Sequence, residues 1–150
     1  MFLRSKTILL LPLLISCLMD GKPNIIIILT DDLGWGDVSY HGGSIPTPNI
    51  DELVSKGLEM NRFYSDPSCS PTRATMLTGI NSFANGVVRP FANPRVESYG
   101  MPLEHKIMPE YFKEAGYQTA LSGKWHLGMS EEGFLPINRG FDSTYGHLMG

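Results

Sequence analysis

The sequence has no run of basic residues, no internal repeat and no low-complexity segment. With a formal net charge of −3 it offers no general attraction to nucleic acid. Its N-terminal apolar run, Ile8 to Ile15, is too short to cross a bilayer as a helix. Disorder is not the default either, because 42% of the residues are hydrophobic and 18% charged. At 150 residues the chain suffices for one modest domain and not for two. Cysteine is scarce as well, with Cys17 and Cys69 the only two.

What is present begins with a targeting signal. Arg4 and Lys6 precede the apolar run, the pattern of a secretory signal, and residues 1–20 are assigned to it. Leu14-Ile15-Ser16-Cys17 also resembles a bacterial lipoprotein processing box, in which Cys17 is lipidated. A plain cleaved signal explains the same letters. Both predict export: periplasmic, secreted or lipid-anchored in a bacterium, lysosomal or secreted in a eukaryote. With Cys17 removed or lipidated, Cys69 has no partner for an intramolecular disulfide. An unpaired cysteine in an oxidising compartment is either buried or modified into a reactive group.

Residues 21–150 read as α/β. Ile25-Ile26-Ile27-Ile28-Leu29 is an unbroken apolar run, predicting a strand buried on both faces of a mostly parallel sheet with flanking helices. Asp31 and Asp32 follow at its C-terminal end, the edge where open α/β sheets bind ligands. Two adjacent carboxylates either hold a hard cation such as calcium or magnesium, or cap a turn. Thr47 and Pro48 open a helix whose stripe is Ile50, Leu53 and Val54, with Gly57 as its stop. Residues 59–64 predict a second strand. Residues 80–105 predict a long substrate-facing loop, in which Arg89 and Arg95 either meet an anion or face solvent. A helix over 108–115 has Met108, Tyr111, Phe112 and Ala115 as its core face. Neither His41 nor His147 is given a role.

Two segments carry chemistry. Cys69-Ser70-Pro71-Thr72-Arg73 predicts a helix start, with Pro71 in the first turn and Gly79 as the left-handed stop. Cys69 and Arg73, four apart, share a face, and Cys69 meets the helix end that favours anions. In Gly123-Lys124-Trp125-His126-Leu127-Gly128, an extended chain puts Lys124 and His126 on one face. That pair suits anion binding with proton transfer, or else is a surface lysine beside a satisfied histidine.

Both strings resemble the two signatures of the type I sulfatases, Cys-x-Pro-x-Arg followed by Thr78-Gly79, and Gly-Lys-Trp-His-Leu-Gly. The likeness runs from Pro23 to Gly150, including the Asp31-Asp32 pair with its glycine-rich aromatic loop. The tail, from Pro136 to Gly146, is most similar to the branch that includes arylsulfatase B. The resemblance implies an alkaline-phosphatase-like α/β fold and hydrolysis of a sulfate ester of a small molecule or glycan. It implies that Cys69 is oxidised to formylglycine by a maturation enzyme. It further implies that Asp31, Asp32 and the group at 69 bind calcium, magnesium being possible on chemistry alone. Arg73 and Lys124 then neutralise sulfuryl charge, and His126 accepts a proton. Further family ligands, an Asp, an Asn, a histidine and a lysine, find no match here, so the sequence reads as the N-terminal part of a longer, incomplete sheet. Two alternatives stay open: a phosphate or phosphonate ester hydrolase of the same superfamily, and an inactive truncated copy.

Overall fold

A computed structural model describes residues 21–91 and 99–150; the proposed signal, Cys17 and Arg95 lie outside them. The chain divides into two compact units, residues 1–35 and 36–150. In the first, the run from Ile25 to Leu29 forms no strand and lies exposed, Ile26 at 85% and Ile28 at 77%. The expected doubly buried strand is therefore corrected. Composition makes a segment competent for a sheet, but burial requires neighbours to cover both faces.

In the second unit, helix α1 (Pro48–Lys56) starts after Thr47 and stops at Gly57 as expected. Its stripe is only half realised, with Ile50 and Val54 half-buried and Leu53 exposed. The predicted strand over 59–64 is absent: Asn61 and Arg62 turn, and Met60, Phe63 and Tyr64 face solvent. Apolar alternation there is not matched by a pairing partner, and a strand is defined by its partner.

Helix α2 (Cys69–Thr78) follows, and Gly79 ends it in the left-handed region (φ 68°), its N–H donating to the Thr75 carbonyl at 2.8 Å. Asp66 ties this helix to its successor: its carboxylate accepts from Thr75 Oγ1 at 2.9 Å and Ser82 Oγ at 2.5 Å. The region over 80–105, expected to be a long substrate-facing loop, contains α3 (Ser82–Asn85), capped by the Asn81 side chain accepting from the Phe83 N–H at 3.0 Å. It also contributes the buried Val87, Phe91 and Met101. Helix α4 (Met108–Glu114) is fixed at its start by Glu110, which accepts from the Ile107 N–H at 2.7 Å. Its buried contacts come from Pro109 and the half-buried Met108 and Phe112, while Tyr111 and Ala115 are exposed.

Strands β1 (Ala120–Lys124) and β2 (Ser143–His147) pair in parallel, Ala120 opposite Ser143 and Lys124 opposite His147. Parallel pairing needs a long crossover, supplied by residues 125–142. A Cβ on Gly146 would stand 2.1 Å from the Gly123 carbonyl oxygen, so the close approach of the two strands at this pair requires glycine at 146. The core collects Ala74 and Leu77 from α2, Val87, Phe91, Met101 and Ile107 from the middle segment, and Trp125, Leu127 and Phe141 around the sheet end. Each large apolar side chain buried there is worth about 1.5–3 kcal/mol relative to exposure. Arg139 is also buried, donating to the His105 carbonyl at 2.8 Å. Burial lowers its pKa from the ordinary value, with Glu110 and Glu104 acting in the opposite sense.

Candidate active site

The core grips the two segments that carry the chemistry and sets them against each other. Trp125 anchors the second: its indole N–H reaches the carbonyls of Gly128 at 3.1 Å and Phe134 at 2.9 Å, satisfying a buried donor. The backbone continues the sheet ladder past β1, the Trp125 N–H donating to the His147 carbonyl and the His126 N–H to the Leu148 carbonyl. At His126 the chain turns left-handed, φ 56°. For a non-glycine residue this costs about 1–3 kcal/mol and persists only where surrounding contacts over-determine it. The turn corrects the expectation of a simple extended chain that would align Lys124 with His126: β1 ends at Lys124, and alternation ends with it.

His126 is buried, with 6% exposure. Its Nδ1 lies 3.1 Å from Cys69 Sγ and its Nε2 lies 3.1 Å from the Phe91 carbonyl oxygen. A carbonyl can only accept, so Nε2 carries a hydrogen and donates it. In the neutral ring Nδ1 is then the bare nitrogen, facing the group at position 69. This geometry equips His126 to take a proton from residue 69.

Cys69 opens α2, half-buried and a free cysteine. The first-turn amides of Cys69 and Ser70 have no carbonyl one turn back to bond, so they favour an anion at the helix start. Arg73, one turn on, is 9% exposed and donates from Nη1 to the Lys124 carbonyl at 2.7 Å. A guanidinium, a thiol and an imidazole are thus brought together from two segments more than 50 residues apart in sequence. Lys124 enters through its main chain, and its half-buried side chain belongs to the same strand end.

Asp31 and Asp32 lie in the first unit and are exposed; Asp32 is left-handed at φ 58°. Two carboxylates have the hard oxygen chemistry that calcium or magnesium takes, but calcium uses about six to eight oxygens. Among the described residues no three His, Cys, Asp or Glu side chains cluster closely enough to hold a metal ion. The described residues alone therefore do not complete such a site. Sequence reasoning missed Ser70 and Phe91, which touch His126, because no local pattern marks contacts made across 56 and 35 residues.

The chain is similar to known proteins over nearly all of its described length. The family profile described as Sulfatase matches residues 23–150. Mouse arylsulfatase J is 38% identical over 130 residues, covering 87% of this chain and 22% of that protein. Among solved structures, the PsFucS1 sulfatase from Pseudoalteromonas sp. superposes with a TM-score of 0.79 at 39% identity, covering 90% of this chain and 28% of that one. Ps i-CgsB in complex with k-i-k-neocarrahexaose gives a TM-score of 0.73 at 35% identity, covering 87% and 29%. The chain thus spans about a quarter of the length of the relatives it matches. The fold is that of the corresponding part of these sulfatases, the alkaline-phosphatase-like α/β class. Family membership carries with it a formylglycine and a divalent metal in general terms. With both signatures folded against one another and the profile spanning nearly every described residue, this chain belongs to the sulfatase family.

Proposed function

We propose that the protein of which this chain forms a part hydrolyses a sulfate ester, using position 69 as its nucleophile. The observation that carries the reading is the 3.1 Å approach of His126 Nδ1 to Cys69 Sγ at the start of α2. Oxidised to formylglycine and hydrated, residue 69 would supply one hydroxyl to attack sulfur and a second to expel sulfate as the aldehyde re-forms. The free, half-buried thiol of Cys69 fits that conversion. His126 serves the second hydroxyl as base, since its bare nitrogen already faces the side chain at 69. Arg73 holds positive charge one turn behind the nucleophile, and the free amides of the α2 start add partial charge of the same sign. Lys124 is assigned to the sulfuryl oxygens. Asp31 and Asp32 are assigned as two ligands of a divalent metal, calcium by family likeness.

The substrate is proposed to be a sulfated glycan or small molecule; a neighbour bound to k-i-k-neocarrahexaose supports the glycan. The chain is proposed to act after export, with residues 1–20 as the signal and a formylglycine-generating enzyme as its partner in maturation. Residues 21–150 are then the N-terminal portion of the catalytic domain. The test is hydrolysis of matched aryl sulfate and aryl phosphate esters by the full-length protein, made in a host that matures sulfatases. Preference for sulfate supports the reading; preference for phosphate, or no turnover of either, overturns it.

A further inference from the structure

Three contacts close a ring around the imidazole. Ser70, fully buried, donates from Oγ to the His126 carbonyl at 2.7 Å. The Phe91 N–H donates to the same Ser70 oxygen at 3.5 Å. The Phe91 carbonyl in turn accepts from His126 Nε2 at 3.1 Å. Ser70 thus touches the main chain of His126 and the N–H of Phe91, the residue whose carbonyl accepts the ring hydrogen, while its neighbour Cys69 faces Nδ1. The packing leaves the ring little alternative. A Cβ on Gly150 would lie 2.4 Å from His126 Cε1, so the backbone there presses against the imidazole.

From this arrangement we propose that Ser70 is a positioning residue for His126: its hydroxyl pins the left-handed backbone of His126 and orients the Phe91 carbonyl that selects the Nε2–H tautomer. The residue does not touch the reacting atoms. It works on the angle and tautomer of the base beside position 69. The backbone of His126 occupies a conformation that is costly for a side-chain-bearing residue and needs external contacts to hold it. A buried hydroxyl with its donor spent on that residue's carbonyl is such a contact. Ser70 also stays in step with the nucleophile, since the two are adjacent in the first turn of α2. A shift of one therefore moves the other, and the distance between residue 69 and the imidazole is kept.

The inference rests on the proposed sulfatase reading for its kinetic arm only. Full-length protein is compared with Ser70→Ala and Ser70→Thr, each rate being divided by the fraction of Cys69 converted, as read by peptide mass. Ser70→Ala is expected to lower kcat about thirtyfold with KM nearly unchanged, as befits a misplaced base rather than a lost substrate contact. Ser70→Thr, which keeps the hydroxyl, should restore most of the rate. The second arm needs no activity. Ring-nitrogen NMR of His126, assigned by its loss in His126→Gln, should show the Nε2–H tautomer with a slowly exchanging proton in the unaltered protein. In Ser70→Ala that proton should exchange faster and both tautomers appear. A wild-type ring protonated on Nδ1, equal rates for Ser70→Ala and wild type, or equal loss in Ala and Thr variants would overturn the proposal. Absence of sulfate turnover in the unaltered protein would sink the sulfatase reading and leave the NMR arm to decide on Ser70.

Discussion

Helices α1 and α2 look alike in sequence: each has a proline in its opening turn and a glycine directly after its end. Helix α1 has the sharper separation of apolar and polar faces, yet none of its residues is buried. It is held mainly through polar groups at its start, where Asp51 accepts from Ser39 Oγ at 2.7 Å and Thr47 Oγ1 at 3.0 Å. Helix α2 has little such separation and buries five residues, among them Ser70 and Arg73. Periodicity thus predicts where a helix forms and not how deeply it sits. Depth in α2 is set by specific partners for polar side chains: carbonyls of Lys124 and His126 on one side, and Asp66 below. Buried polar groups are retained only with such partners, and here these partners build the site.

If that contrast is correct, the largest effects come from the α2 side. His126→Ala in the mature full-length protein is expected to lower kcat about 10²–10⁴-fold while leaving KM within a few-fold. Steady-state rates on an aryl sulfate check this, and a change confined to KM would remove the base role. Next comes Arg73→Ala, which deletes a buried cation and its bond to the Lys124 carbonyl. A loss of about 2–3 kcal/mol is expected in denaturant unfolding. Arg73→Lys should recover only part of it, because an ammonium cannot reproduce the planar guanidinium fork.

Charge at the sheet end sharpens the comparison from another direction. The Lys113 contact at 2.7 Å, followed by the Thr119 N–H at 2.9 Å, holds the Asp142 carboxyl below its ordinary value of 3.8. A lowered carboxylate contributes stability above its ordinary value, and that contribution is lost as pH falls through the lowered one. Thermal midpoints of wild type and Asp142→Asn should therefore differ at neutral pH and converge in acid. A constant gap would argue against this linkage. The smallest effect is expected on α1. Leu53→Glu, at a position 64% exposed, should change stability by less than about 0.5 kcal/mol. A loss several times larger would show that other parts of the full-length protein cover this face, and the contrast between the helices would belong to the described residues alone.

Much of the site was legible because it is written locally. The opening and closing of α2, the shared face of Cys69 and Arg73, and the glycine-bracketed loop around His126 all follow from neighbouring residues. A parallel sheet was expected, but from the run at 25–29; the parallel pair that forms is β1 with β2, and no sequence pattern marked β2 as a strand. What sequence could not display is pairing and long-range accommodation. The runs at 25–29 and 59–64 have strand composition, but a ladder needs a second strand in register. The left-handed turn at His126 is held by Ser70 and Leu148, residues that no periodicity links to it. The buried Arg139 was invisible for the same reason, its carbonyl partner at His105 lying 34 residues away.

The measurement that bears most directly on the central claim is the mass of the peptide containing residue 69, taken from the exported full-length protein made in a host that matures sulfatases. Replacement of the thiol by an aldehyde makes that peptide lighter, and this is the predicted result. A peptide carrying only unmodified Cys69 would contradict the account, because His126 would then face a thiol that cannot supply the second hydroxyl.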